Sequence, residues 1–131
     1  MTNPIVSRWH QIVKSGDYTG LYDLIAEDAV FHSPVVHSPQ VGQKRVYQYL
    51  SAAFSVLFAG KFHYVREVVG ERDAVLEFIV ELEGVTINGV DMMSWNEQGL
   101  ITDFKVMVRP LKGINLVHQK MAAVLELMKA K

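Results

Sequence analysis

The chain has 131 residues, 50% of them hydrophobic and 21% charged, which suits a single soluble globular domain spanning 1–131. A formal net charge of −1 leaves no electrostatic basis for nucleic acid or an anionic membrane as a partner. Cysteine is absent, which excludes disulfides, thiolate catalysis and cysteine-ligated metal.

Asn3 before Pro4 is a capped helix start, with proline at the first helical position, where its missing N–H costs nothing. Ile5, Trp9, Ile12 and Val13 recur at helical spacing, and Gly16 ends the run. A second short helix is expected to carry Leu21, Leu24 and Ile25 on one side, followed by a short strand that Pro34 stops. Pro34 and Pro39 bracket a loop that can continue neither a helix nor a central strand. Gly42 opens a third helix with the stripe Val46, Tyr49, Leu50, Ala53, Phe54 and Leu57, and Gly60 ends it.

From Phe62 to Pro110 the period is two. Leu76, Phe78, Val80 and Leu82 alternate with Glu77, Ile79, Glu81 and Glu83, the mark of a half-buried antiparallel strand. Asp91 shares a face with Met93 and Trp95, and the turn Asn96-Glu97-Gln98-Gly99 leads into Phe104, Val106 and Val108. After Pro110 a final helix places Leu116, Val117, Met121, Val124, Leu125 and Met128 at helical spacing. This order predicts an α+β fold, with helices against one face of a curved antiparallel sheet. Leu76, Phe78, Phe104 and Val106 should occupy the concave side. No basic-then-apolar leader opens the sequence and no apolar run reaches membrane-spanning length, so the expected location is cytoplasmic, away from membranes.

Several landmarks carry a resemblance: the helix ending Gly16-Asp17, the stretch Ala26-Glu27-Asp28-Ala29-Val30-Phe31-His32-Ser33-Pro34, Gly42, and Asp91 ahead of Asn96-Glu97-Gln98-Gly99. Over roughly residues 4–110 they resemble the nuclear transport factor 2-like superfamily, in its SnoaL-like and ketosteroid isomerase-like branch. The resemblance implies a cone-shaped barrel of strongly bent antiparallel sheet against three N-terminal helices, with an extra C-terminal helix. It also implies a hydrophobic pocket and no cofactor. In ketosteroid isomerases a carboxylate base stands just before the proline of the first strand, a position that falls here on Ser33. The oxyanion-hole tyrosine falls on Trp9, and the second oxyanion-hole member, an acid kept protonated by apolar surroundings, falls on Asp91. One of three is retained, so steroid isomerisation by that route is not expected. A serine hydroxyl at neutral pH cannot take a carbon-bound proton unaided.

Asp91 is either a pocket carboxylate serving as acid, base or ligand anchor, or a strand aspartate paired with an arginine or lysine. Its apolar face-mates favour the first. Trp9 and Trp95 hold the chain's two indole donors and either fill the core or line the pocket. Ser33 lacks the glycines of a nucleophile elbow and is a pocket hydroxyl or an ordinary strand-end donor. His37 sits on the loop expected at the cone's lip, as a proton shuttle or a plain surface histidine, while alternation turns His32 to the opposite face from Ser33. No His-Glu-x-x-His or comparable array is present, so no metal is expected.

Phe31, Phe54, Phe78, Met93, Phe104 and Val106 are core by default, and in a cone they would line the ligand cavity beside Trp9 and Trp95. The resulting expectation is an isomerase, dehydratase or cyclase acting on a small hydrophobic carbonyl compound, with Asp91, Ser33 and His37 as catalytic residues. The alternative is a non-catalytic ligand-binding or dimerising module with the same pocket. Expected partners are a small apolar ligand and a second copy of the chain, docked through the outer sheet face bearing Ile79 and Met107. Glu77, Glu81 and Glu83 read as a solvated or subunit-facing strand face. The methionine-rich final helix reads as core, dimer packing or a lid.

Overall fold

The computed structural model describes residues 3–129. The Asn3 side chain accepts from the N–H groups of Ile5 (2.9 Å) and Val6 (3.3 Å), which starts α1 (Pro4–Ser15), and Gly16 ends it at a φ of 72°. The buried edge of α1 is Val6, Trp9 and Ile12. The second helix, α2 (Thr19–Tyr22), is shorter than its apolar spacing suggested. Leu24 and Ile25 do not belong to it: the Leu24 carbonyl accepts from the Ile101 N–H at 2.8 Å, and Ile25 opens β1 (Ile25–His32). A single helical turn is poorly stabilised by itself, and a neighbouring strand offers a better ladder.

The remaining elements are β2 (Gln40–Val41), α3 (Gln43–Leu57), β3 (Lys61–Val69), β4 (Asp73–Leu82), β5 (Val85–Trp95), β6 (Ile101–Arg109) and α4 (Leu111–Lys129). The strands form one six-stranded sheet in the order β2-β1-β6-β5-β4-β3. β3 to β6 make an antiparallel meander. Glu83 and Gly84, both at positive φ (50° and 79°), form the two-residue turn between β4 and β5, a geometry that follows strand twist. One pair departs from the expected all-antiparallel sheet. β1 runs parallel to β6, with Phe31 opposite Phe104 and His32 opposite Lys105. The chain between them passes through α3 and the whole meander, so no tight turn imposes the opposite direction. The α+β cone is present, but its sheet is mixed and open rather than closed into a barrel, with β2 and β3 at its edges.

Burial alternates along β4, β5 and the second half of β6: Leu76, Phe78 and Val80 of β4, Ile87, Asp91 and Met93 of β5, and Phe104 and Val106 of β6 all face the core. Helices close what the strands leave open. The Trp9 indole lies 5.1 Å from the Phe54 ring and 4.9 Å from Phe104, so α1, α3 and β6 meet on one side chain. α4 presents Gly113, Val117 and Met121 inward, and Gly113 rides directly on Ile87 of β5. No helix among the described residues is long and apolar enough to cross a membrane.

Gly89 lets the Phe78 ring pack directly on the backbone of β5. A Cβ there would come within 2.5 Å of the Phe78 ring and 2.8 Å of the Met107 carbonyl, so the ring lies across bare backbone. Gly89→Ala should therefore lower stability by about 1–3 kcal/mol through overpacking. An unchanged midpoint in urea denaturation would show that the ring has room to move aside.

Candidate active site

β5 delivers Asp91 to the middle of the concave face, where the ladder sets it between Leu76 of β4 and Val106 of β6. The residue is 5% exposed. The Tyr64 hydroxyl of β3 donates to Asp91 Oδ2 at 2.7 Å, and the Trp9 indole N–H of α1 donates to the Tyr64 oxygen at 3.0 Å. Three elements thus converge on a linear relay, Trp9 to Tyr64 to Asp91. Among the described residues no arginine or lysine pairs with Asp91, and no donor bonds its Oδ1.

Burial dominates the electrostatics. Removal from water raises the Asp91 pKa to about 7, while the Tyr64 hydrogen bond acts in the opposite direction. Burial, and then the negative charge of Asp91, push the Tyr64 phenol well above its ordinary value. Near neutrality Asp91 therefore exchanges between acid and carboxylate, and Tyr64 stays a phenol. Aromatic rings hold Tyr64 in place: Phe62 lies edge-on at 5.0 Å, and His10, which pairs with Glu67, lies edge-on at 5.2 Å.

Ser33 follows β1 directly. The register that sets His32 against Lys105 brings Ser33 beside Val106. Val106 is also the partner of Asp91, which leaves Ser33 and Asp91 two strand spacings apart, roughly 10 Å. The Ser33 Oγ accepts from the Val35 N–H at 3.2 Å. His37 is exposed, and it shares with Ser33, Pro34 and Lys105 an open depression of about 460 Å³ that reaches Val106. His32 also borders that depression, its Nε2 lying 3.0 Å from Asp103 Oδ1. The structure thus links Trp9 to Asp91 through Tyr64, and sets Ser33 and His37 on the far side of Val106, neither bonded to Asp91.

Phe31, Phe54, Phe78, Met93, Trp95, Phe104 and Val106 are all buried around this centre. The hydrophobic pocket expected inside them is nearly filled. The interior space bordered by Phe31, Pro34, Val106, Val117 and Met121 measures about 20 Å³, room for about one water. Among the described residues no three His, Asp or Glu side chains gather as a ligand set for a metal. Tyr64 went unremarked in the sequence reading. Its signal was present, because Phe62 and Tyr64 stand two apart on an apolar strand face, but nothing local says that the phenol meets a carboxyl 27 residues onward.

Because the folded pKa of Asp91 lies above the solvated value of 3.8, the folded state holds this proton more tightly than the unfolded chain does. The associated stability is complete below 3.8 and is lost as pH rises through about 7, a swing of roughly 4 kcal/mol. Urea unfolding across that window should show the fall in the wild type and not in Asp91→Asn; parallel curves would count against a buried acid. In Tyr64→Phe the carboxyl resonance should titrate above the wild-type value of about 7, because the bond that holds the pKa down is gone.

Residues 6–104 match the SnoaL-like domain family. The steroid delta-isomerase of Pseudomonas aeruginosa is similar in structure, with a TM-score of 0.91 at 32% identity over 97% of this chain and 93% of that one. A bacterial protein with a cystatin-like fold from Silicibacter pomeroyi DSS-3 gives a TM-score of 0.84 at 32% identity, covering 92% of this chain and 84% of its own. The epoxide hydrolase/cyclase-like enzyme SalBIII, which has a role in pyran ring formation in the polyether salinomycin, shares the fold alone. Its TM-score is 0.64 at 16% identity, over 80% of this chain and 88% of that one. No curated protein matches the sequence. With most of its length inside the matched domain and relatives at 32% identity over nearly the whole fold, the chain belongs to the SnoaL-like domain family, within the nuclear transport factor 2-like and ketosteroid isomerase-like fold.

Proposed function

We propose that this protein is an acid–base enzyme of isomerase, dehydratase or cyclase type, which moves a proton on a small hydrophobic carbonyl compound held against Asp91. The observation that carries this reading is a buried carboxyl with a pKa of about 7, one oxygen tied to Tyr64 and the other without a protein donor. At neutral pH such a group takes a proton as carboxylate and returns it as acid with little bias either way. Tyr64, a phenol throughout, stabilises the carboxylate without competing for the proton. Trp9 occupies a lone pair on the Tyr64 oxygen and so aims the hydroxyl at Oδ2. Transfer is left to Oδ1.

In an isomerisation, the Asp91 carboxylate takes a proton from the carbon next to the carbonyl, and the bonding electrons move onto the carbonyl oxygen as an enolate. The protonated acid then returns that proton to a different carbon, and the carbonyl re-forms. The Ser33 hydroxyl, roughly 10 Å away across Val106, suits a hydrogen bond to the substrate oxygen and not proton abstraction from carbon. The relation to the Pseudomonas aeruginosa steroid delta-isomerase supports the reaction class. Ser33 in the position of a carboxylate supports a single-acid variant of it. That same serine favours a second reading, a non-catalytic binding module with the same interior.

The reading includes a homodimer. The outer sheet face exposes Val65, Val68 and Met107 at 45%, 61% and 50%. Around them runs a polar row in which Arg66 meets Glu77, Asn88 bonds Glu77, and Arg109 bonds Asn88. An apolar centre with an ordered polar border suits a two-fold interface between copies.

Thermal-shift screening with small cyclic ketones and enones should find ligands, since binding to the folded state raises its melting temperature. Turnover of a hit should fall about 10²–10⁴-fold in Asp91→Asn, and about tenfold or less in Ser33→Ala and His37→Ala. Binding with no product, and no loss on replacing Asp91, would establish the binding module instead. Sedimentation at micromolar concentration should give a dimer that Met107→Asp converts to monomer, whereas a wild-type monomer would remove the interface.

A further inference from the structure

We infer that α4 is the lid of this site, and that Val117 and Met121 on its inner stripe decide which ligands the cone admits. The inference rests on the reading that Asp91 serves a small apolar ligand, and it adds how such a ligand reaches the acid. Val106 is the link between the two places. It stands beside Asp91 in the ladder, and it also borders the interior space closed by Val117 and Met121. That space measures about 20 Å³, whereas a site for a small organic molecule needs about 300–1,000 Å³. Some wall must withdraw.

Four elements bound the space, the sheet, α3, α4 and Pro34 on the loop after β1, and the three regular ones are held unequally. The sheet wall, Phe31 and Val106, belongs to strands laddered on both sides. α3 buries Val46, Leu50, Ala52, Phe54, Val56 and Leu57 around more than one face, so it cannot shift without unpacking the core. α4 fully buries only Gly113, Val117 and Met121, each four residues from the last, with Leu116, Val124, Leu125 and Met128 half-buried beside them, and it leaves Leu111 and Leu127 at 71% and 67% exposure. Its ion pair, Lys120 to Glu83 of the β4–β5 turn, joins side chains that are 34% and 58% exposed, and pairs so open to water hold weakly. The family match covers residues 6–104, and α4 follows it in the chain.

The direction of movement is also built in. Gly113 sits so close on Ile87 that a Cβ there would meet its side chain at 3.0 Å, which anchors the first turn of α4 against β5. Pivoting outward from that anchor withdraws Val117 and then Met121, further along the helix, by a greater arc. The space exposed has apolar walls, with the Asp91 carboxyl beyond Val106 as its polar end. It takes a compact apolar ring compound with one carbonyl oxygen, and Met121 sets its length.

The test uses the full chain and the naphthyl ketone fluorophore prodan, mixed rapidly, with hydrogen exchange of the α4 amides read alongside. A lid that must open first makes the observed binding rate level off as prodan concentration rises. Lys120→Ala, a change at the surface, should raise that plateau severalfold and speed exchange along α4 beyond Gly113. Met121→Ala removes the plug without removing the helix and should tighten prodan binding about tenfold, while Met121→Trp should weaken it comparably. Rates linear in prodan for every protein, with α4 exchange unchanged in Lys120→Ala, would overturn the lid, as would a folded Met121→Ala that binds no prodan. If Met121→Ala does not fold, Lys120→Ala carries the test alone. Asp91→Asn separates this inference from the catalytic one. Levelling kinetics in that variant, together with undiminished turnover, would leave the lid standing and remove the acid–base role.

Discussion

Everything at the centre of this molecule answers to one constraint: a carboxyl has been taken out of water. An ionised aspartate in an apolar interior must acquire donors or shed its charge. Asp91 does part of each. Tyr64 supplies one strong hydrogen bond, and burial still lifts the pKa to about 7. A second donor on Oδ1 would favour the charged form further and flatten the acid–base behaviour. A missing Tyr64 would leave a neutral acid over the physiological range. The single bond holds the group at the balance point, and Trp9 maintains that bond by giving the phenol oxygen its own donor.

The scaffold makes this arrangement possible by bringing distant segments to one point. Trp9 is anchored on a capped helix whose buried edge meets α3 and β6, so the indole has little freedom to turn. Tyr64 stands on an edge strand, yet Phe62, Phe78 and His10 surround its ring. Gly89, two residues before Asp91 on the same face, lets the Phe78 ring cross β5 and so walls the acid from one side. Parallel pairing of β1 with β6 places the end of β1, and therefore Ser33, in the row that contains Val106 and Asp91. A helix, a glycine and a strand direction together set the chemistry of one side chain.

The interior is packed rather than hollow. A pre-formed cavity of substrate size would forfeit dispersion contacts throughout the core. Here the space beside Val106 is closed by Val117 and Met121 of α4, a helix that buries fewer side chains than α3. The strands carry the acid, and α4 covers the apolar space beyond Val106.

Much of this was legible in the residue order. Alternation on β4 and β6 marked Leu76, Phe78, Phe104 and Val106 as inward-facing, and the same period set Asp91 with Met93 and Trp95, because side-chain direction along a strand is a local property. The Asn3 cap and the Gly16 stop were equally local. What local pattern could not supply was pairing. Leu24 and Ile25 carried helical spacing, but a neighbouring strand claimed them. The direction of β1 beside β6 depends on the path of the chain between them, and not on the composition of either strand. Asp91 was a candidate by its neighbours alone, while Tyr64 was one tyrosine among five. Its role arises only because the bend of the sheet and the tilt of α1 bring residues 9, 64 and 91 within hydrogen-bond reach. Sequence determined which side chains face inward, and tertiary structure alone decided which of them touch, because contact between distant segments is a property of the closed fold.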